Sequence, residues 1–322
     1  MKLIAELCQN HRGEPALMRR MVEEAAAAGA THVKLQNILA STVAMRPQFE
    51  EGVEVEGRTL AIRRPWAAEV ERLRGLELDP DTVAEFVALS RSLGLVPMTT
   101  CFTRGDVELV ASQGFEAVKV ASYDCASYPL LRELAERFDH MVVSTGATFD
   151  DEIAHAAEVL RDRTEFAFLH AVTIYPTPLD ELHLARMERL RRHADVVGFS
   201  DHTLHARDGN LASRAALALG AEVIERHFTV LGPEETRDGP VSVDPVGLAE
   251  LAAFAALTLE ERRERLAAEG VDLVPLLGDA DRTLSDAELL NRDYYRGRFM
   301  TPRAGGSQRA SEMIANWEET PW

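Results

Sequence analysis

Two lysines and two histidines stand where short apolar runs turn polar, and each demands a partner there. Lys34 lies in Thr31-His32-Val33-Lys34-Leu35-Gln36, and Lys119 lies in the apolar run Ala117 to Ser122. An ammonium on an apolar strand is costly unless an anion satisfies it. An internal salt bridge to Glu6 or Asp124 would do so. The hydroxyls of Thr100, Ser122, Ser144 and Ser200, which close other runs, point instead to a pocket for a phosphate plus a carboxylate. His202 and His227 also end apolar runs. One histidine at a strand end usually serves structure, but two on neighbouring strands converge. Neutral imidazoles suit Mn, Fe, Co, Ni or Zn, and two nitrogens leave coordination positions open for activating a carbonyl.

The elements that position these groups follow a repeat. An amphipathic helix stops at Gly, and a short, often β-branched run follows it to a polar end. Gly29, Gly94, Gly114 and Gly220 mark four such stops. Leu17, Met18, Met21, Val22, Ala25 and Ala26 recur at helical spacing and give the first helix a core-facing stripe. The strands expected are Leu3–Cys8, His32–Gln36, Val96–Phe102, Ala117–Ser122, Met141–Thr145, Phe166–Val172, Val196–Ser200 and Val223–Phe228. Helical patterns fall near 15–28, 80–93, 105–113, 128–137, 149–161, 182–192, 207–219 and 246–268. Eight alternating units of this kind predict an α/β fold, a TIM (β/α)8 barrel over residues 1–270. Reacting groups then belong at the C-terminal strand ends, where Glu6, Gln36, Asp124, Thr173 and Tyr175 join those already named.

Two stretches break the repeat. Residues 40–78 form a long polar connection, expected to be a lid or an interface. Residues 271–322 read as a C-terminal extension too poor in apolar periodicity to fold alone.

Composition narrows the partners. A net charge of −18 over 322 residues disfavours nucleic acid and anionic membranes, although a local cluster of cations can still hold an anionic small molecule. The N-terminus lacks a signal peptide pattern and no apolar run is long enough to span a bilayer, so a cytoplasmic protein is expected. Cys8, Cys101 and Cys125 show no disulfide or zinc-ribbon spacing.

Five segments together carry a family pattern: Ile4-Ala5-Glu6 with Asn10-His11-Arg12-Gly13, Val33-Lys34-Leu35-Gln36, Ile174-Tyr175-Pro176-Thr177-Pro178, Gly198-Phe199-Ser200-Asp201-His202-Thr203, and Ile224-Glu225-Arg226-His227-Phe228-Thr229. From residue 2 to about 245 the chain resembles the catalytic barrel of the N-acetylneuraminate (sialic acid) synthases. The resemblance implies condensation of phosphoenolpyruvate with the open aldehyde form of an N-acetylmannosamine-like hexosamine, giving a nine-carbon 2-keto acid and phosphate. It implies a divalent metal, Mn²⁺ first and Mg²⁺ or Co²⁺ next, on His202 and His227. It assigns Lys34, Thr100, Lys119, Ser122, Ser144 and Ser200 to phosphoenolpyruvate, and Gln36, Thr173, Tyr175 and Asp238 to the sugar side. Glu6 would position or activate water, and Asp124 stands where the family usually has the longer Glu.

The family habit is a homodimer in which a small antifreeze-like domain lends an Arg to the partner's sugar site. Only the linker-like beginning of such a domain is expected here, around Glu288 to Phe299, with Arg296, Arg298 or Arg303 as substitutes. Thr173 stands where Asn or Ser is common, and Thr236-Arg237-Asp238-Gly239-Pro240 replaces a Gly-Pro-Asp segment, so the acceptor half departs furthest. A synthase acting on another aldehyde, a metal-dependent phosphosugar lyase or isomerase, and a non-catalytic barrel are the competing readings.

Overall fold

Short β-branched runs behind Gly-terminated helices can pair only through crossovers, and eight of them close into a ring. The computed structural model describes residues 1–319. In chain order the strands are β1 (Lys2–Glu6), β2 (His32–Gln36), β3 (Val53–Val55), β4 (Arg58–Ala61), β5 (Val96–Thr100), β6 (Ala117–Val120), β7 (His140–Ser144), β8 (Glu165–His170), β9 (Val196–Asp201), β10 (Val223–His227), β11 (Thr301–Pro302) and β12 (Met313–Ile314). All but β3, β4, β11 and β12 form a closed parallel barrel in the order β1-β10-β9-β8-β7-β6-β5-β2. The fold is therefore a TIM barrel.

Alternation along each strand divides the side chains between two cores. Outward residues such as Leu3, Val33, Val118, Val143, Phe168 and Ile224 pack under the helices. Helix Pro15–Ala27 starts on Pro at its first turn and buries Met18, Met21, Val22 and Ala25 in that layer. Each large side chain so buried contributes roughly 1.5–3 kcal/mol. The four expected stops, Gly29, Gly94, Gly114 and Gly220, all have φ between 77° and 89°, the left-handed conformation that ends a helix.

Inward residues change character along the barrel axis. Ile4, Met98, Ala117, Val142, Ala167, Leu169 and Val223 fill the lower interior. Two residues further along every one of these strands but β8 the interior becomes polar, with Glu6, Thr100, Lys119, Ser144 and Glu225 buried there. Register sets the neighbours: Glu6 lies opposite both Lys34 and His227, Thr100 opposite Lys119, and Ser200 opposite Glu225.

Three expected helices are corrected. The pattern over 246–268 is two helices, Pro245–Ala255 and Leu259–Ala268, because Thr258 and Glu261 form a capping box that begins the second. The pattern over 207–219 breaks at Gly209 into His205–Asp208 and Leu211–Ala218, and that over 182–192 contracts to Arg186–Leu190.

The two segments outside the repeat fold onto each other above the C-terminal strand ends. Residues 40–74 carry the hairpin β3–β4 and helix Trp66–Arg74, while the tail carries helix Asp286–Tyr295 and the ribbon β11–β12. The backbone N–H of Ala44 donates to Arg298 (2.8 Å), and that of Met300 donates to Thr42 (2.9 Å). Phe299 packs with Ile38, Val43, Val70 and Leu73, and Phe49 meets Tyr294 edge-on at 5.1 Å. Asn291 Nδ2 donates to the Thr173 carbonyl (2.6 Å), and Asn316 Nδ2 donates to the Phe102 carbonyl (2.7 Å), which ties the cap to the barrel rim. No helix among the described residues is long and apolar enough to cross a membrane.

Candidate active site

Beneath this cap lies a cavity of about 550 Å³ at the C-terminal end of the barrel. Glu6, Lys34, Gln36, Thr100, Lys119, Ser122, Asp124, Ser144, Thr173, Tyr175, Ser200, His202, His227 and Asp238 all line it. The sequence motifs thus converge on one space, although their members act differently within it.

The floor is an ionic network. Lys34 Nζ contacts the Glu6 carboxylate, donates to Thr100 Oγ1 (2.8 Å) and lies 3.8 Å from Glu225. Lys119 Nζ donates to Ser144 Oγ (2.7 Å) and lies 3.6 Å from the other oxygen of Glu225. Ser200 Oγ also donates to Glu225 (2.8 Å). The expected salt bridge to Glu6 is therefore present for Lys34, while Asp124 pairs with neither lysine. Burial, with Lys119 as a neighbour, brings the Lys34 ammonium down to about 7, and burial lowers Lys119 as well. Burial alone would raise Glu225, but Lys119 and then Lys34 hold it down at about 2. Glu225 stands outside the residues expected to line the site. Its signal was its parity with His227, since residues two apart on one strand face the same way.

The upper wall carries metal-type donors. The rings of His202 and His227 are 5.5 Å apart. His202 Nδ1 is placed to donate to the Val172 carbonyl (3.2 Å), which leaves Nε2 to accept from the Tyr175 hydroxyl (2.8 Å). Burial, then the nearby His227, keeps His202 neutral, with its pKa at about 3. His227 is also buried, and its Nδ1 has no hydrogen-bond partner among the described residues. Cys8, two residues after Glu6 and absent from the expected site, donates its thiol to Asp238 (2.9 Å). Ligand atoms of Cys8, His227 and Asp238 lie within 4.8 Å of one another. A buried, neutral-type imidazole beside a thiol and a carboxylate is a donor set that fits a divalent cation.

Other motif residues mainly position the site, and of those that follow only Asp124 also lines the cavity. Asn10 Nδ2 donates to the Phe228 carbonyl and to Ser242 Oγ, both at 2.9 Å, joining the loops after β1 and β10. A Cβ at Gly13 would come within 2.4 Å of the Gly75 carbonyl, so only glycine fits that turn. Asp201 points out of the barrel to Arg226, and both are fully buried. Asp124 accepts from Ser127 Oγ and Asn316 Nδ2, each at 2.9 Å, and burial lifts it to about 6.

The cap closes the far side. Tyr295 stacks on Tyr123 at 4.9 Å, and Asn291, Arg298 and Phe299 reach the cavity with Arg72 and Arg237. Of Arg296, Arg298 and Arg303, Arg298 is the one lining it; Arg296 sits over Trp317 and Arg303 is exposed. Glu69 contacts Arg298, pairs with Arg72 (2.9 Å) and lies 4.0 Å from Arg237. Neither the tail's aperiodic sequence nor its distance along the chain could reveal these contacts.

Known proteins share this arrangement of sequence. The chain is 30% identical over 258 residues to an N,N'-diacetyllegionaminic acid synthase of Campylobacter jejuni, covering 77% of this chain and 73% of that one. It is 28% identical to an N-acetylneuraminate-9-phosphate synthase of Drosophila melanogaster, covering 77% and 65%. An N-acetylneuraminic acid (sialic acid) synthetase from Leptospira borgpetersenii, solved with citrate, superposes with a TM-score of 0.68 at 24% identity over 91% of this chain and 90% of that one, and shares its fold. The sequence model of the NeuB family matches residues 21–260, inside which lie both lysines, both histidines and Glu225, and the chain is an enzyme of the NeuB family.

Proposed function

We propose that this enzyme joins C3 of phosphoenolpyruvate to the aldehyde carbon of an open-chain N-acylated amino sugar, producing a 2-keto sugar acid and inorganic phosphate. One observation carries the reading: two buried ammonium groups, each hydrogen-bonded to a hydroxyl, lie in the same cavity as a cluster of metal-type donors. Lys34 and Lys119 would hold the phosphate and carboxylate charges, with Thr100, Ser122, Ser144 and Ser200 as hydroxyl donors. Gln36, Thr173, Tyr175, Asp238 and Arg298 would face the acceptor.

A divalent ion, Mn²⁺ or else Mg²⁺ or Co²⁺, held by His202 and His227 would supply Lewis-acid polarisation of the carbonyl. The residues themselves align the enol carbon with the aldehyde and exclude bulk water beneath the cap. As the C3–C bond forms, the aldehyde oxygen takes a proton and C2 becomes electron-deficient. Water adds to C2, losing a proton to Glu6 or a neighbouring base. The C2–O bond then breaks, phosphate leaves with the electron pair, and loss of the remaining hydroxyl proton completes the ketone. By family resemblance the protein is read as a cytoplasmic homodimer.

Phosphate release from phosphoenolpyruvate with Mn²⁺ across a panel of hexosamines and other aldehyde sugars tests this. Release that requires both metal and acceptor, and disappears in His202→Ala, is the expected result; a panel with no release at all sinks the condensation and favours a lyase or a non-catalytic barrel.

A pH dependence follows from Lys34. Its folded pKa lies below the ordinary lysine value, so in the free enzyme the ammonium is complete below about 7 and is lost above it. Above that pH, phosphoenolpyruvate binding must then take up a proton. Its dissociation constant is expected to rise with pH above about 7, by up to about tenfold per unit. Calorimetry in buffers of different ionisation enthalpy reads the proton uptake directly, and a pH-independent affinity would contradict it.

A further inference from the structure

Of the three cysteines, one is placed unlike the others. Cys101 and Cys125 are enclosed in the apolar layer between strands and helices. Cys8 follows β1 and lines the cavity, in a left-handed conformation (φ 48°) that side chains adopt at a cost. Its sulfur lies 2.9 Å from Asp238 Oδ2, and Gln36 Nε2 donates to it at 3.1 Å. A ligand nitrogen of His227 lies within 4.8 Å of this pair, and the ring is 6% exposed, with Nδ1 unpartnered among the described residues. Burying an imidazole nitrogen without a partner is unfavourable, and a thiol–carboxylate pair is a weak reason to keep one there.

We propose that Cys8, as thiolate, together with His227 and Asp238 ligates the divalent ion of this site, an assignment that rests on the functional reading above and deepens it. The two-histidine set then becomes a mixed sulfur, nitrogen and oxygen set. His202, its Nε2 now accepting from Tyr175, is the second nitrogen available to it. Binding is balanced by one proton: the thiol S–H breaks, a sulfur–metal bond forms, and the proton leaves through Asp238, which already accepts it in a hydrogen bond. A thiolate selects softer ions, so Zn²⁺, Co²⁺ or Fe²⁺ should bind more tightly than Mn²⁺ or Mg²⁺. Gln36, whose amide meets the sulfur, becomes a positioning residue for the ligand.

Cobalt titration of the metal-free full chain tests this without any turnover. The wild type is expected to develop a near-ultraviolet sulfur-to-cobalt charge-transfer band, to release about one proton for the thiol, and to lose reactivity at Cys8 toward a thiol reagent when loaded. Cys8→Ser should abolish the band and weaken Co²⁺ at least about 100-fold, beyond the loss expected of an outer-shell partner. Cys8→Gly, which relieves the left-handed strain, guards against a folding defect and should show the same loss. Cobalt bound without a charge-transfer band, unchanged affinity in both variants, or no binding by the wild type each overturns the assignment. The two readings separate cleanly. A charge-transfer band without phosphate release keeps the ligand set and removes the condensation, while metal-dependent release without the band does the reverse.

Discussion

Lys119→Met is expected to lower kcat/KM for phosphoenolpyruvate by about 10²–10³-fold while leaving the barrel folded. The ammonium is buried on β6, donates to Ser144 Oγ and faces Glu225, so its charge acts where little water screens it. Methionine nearly matches its length but offers no donor to an anion. Burial is the main cause of the lowered Lys34 pKa, and removing the neighbouring cation relieves the smaller part due to repulsion, so the loss should fall on substrate rather than on stability. Glu225 retains Lys34 and Ser200 as partners in the variant. Lys119→Arg should fail nearly as badly, because a planar guanidinium does not fit a space built for a compact ammonium. Ser144→Ala combined with Lys119→Met should cost less than the sum of the two, since the hydroxyl acts with the amine. Steady-state phosphate release, with thermal melts of each variant, separates these effects. A variant with wild-type kcat/KM would mean that Lys119 only balances Glu225.

The sequence exposes most of the barrel because its signals are local. A helix stop at Gly220 and a β-branched run from Val223 are readable within a few residues, and the same signals recur around the ring. Strand ends then disclose which polar residues meet, since a barrel brings all its C-terminal ends to one face. Parity along the strand decides what those residues do. On β9, Ser200 faces the cavity and the next residue, Asp201, faces the helices, so a motif containing both mixes chemistry with support. Glu225 was legible by that rule and Cys8 by its place after β1. The cap is different. Its contacts join residues near 44 to residues near 300, and neither segment has a periodicity that names its partner. The break at Thr258 carried a local signal, the capping box with Glu261, but strong helix formers on either side obscured it.

Breaking the Asp201–Arg226 pair should produce the largest loss of stability. The two are direct cross-strand neighbours on β9 and β10, fully buried on the outer face of the barrel wall. Each immediately precedes a histidine of the site, so the pair fastens His202 and His227 from behind. Asp201 also accepts from the Thr203 N–H (2.9 Å), Thr203 Oγ1 (2.8 Å) and Ser213 Oγ (2.6 Å). Arg226 donates to Thr203 Oγ1 (3.2 Å) and to the Gly209 carbonyl (3.3 Å). Arg226→Met leaves a buried carboxylate without its counter-charge and is expected to destabilise the fold by about 3–5 kcal/mol. Asp201→Leu strands the guanidinium and should cost a similar amount, whereas the double variant should recover part of the loss because neither charge then remains buried alone. The wild-type pair carries its own pH signature. Burial works against the Asp201 carboxylate, but Arg226 and the hydroxyl donors bring its folded pKa below the ordinary value. Its stabilisation is therefore complete above the unfolded carboxylate range and disappears as pH falls through the folded pKa. Urea unfolding of the wild type and the three variants at neutral and acidic pH measures both effects. Single variants as stable as the wild type at neutral pH would show that the remaining hydrogen bonds, not the ion pair, hold the two histidine-bearing strands in register.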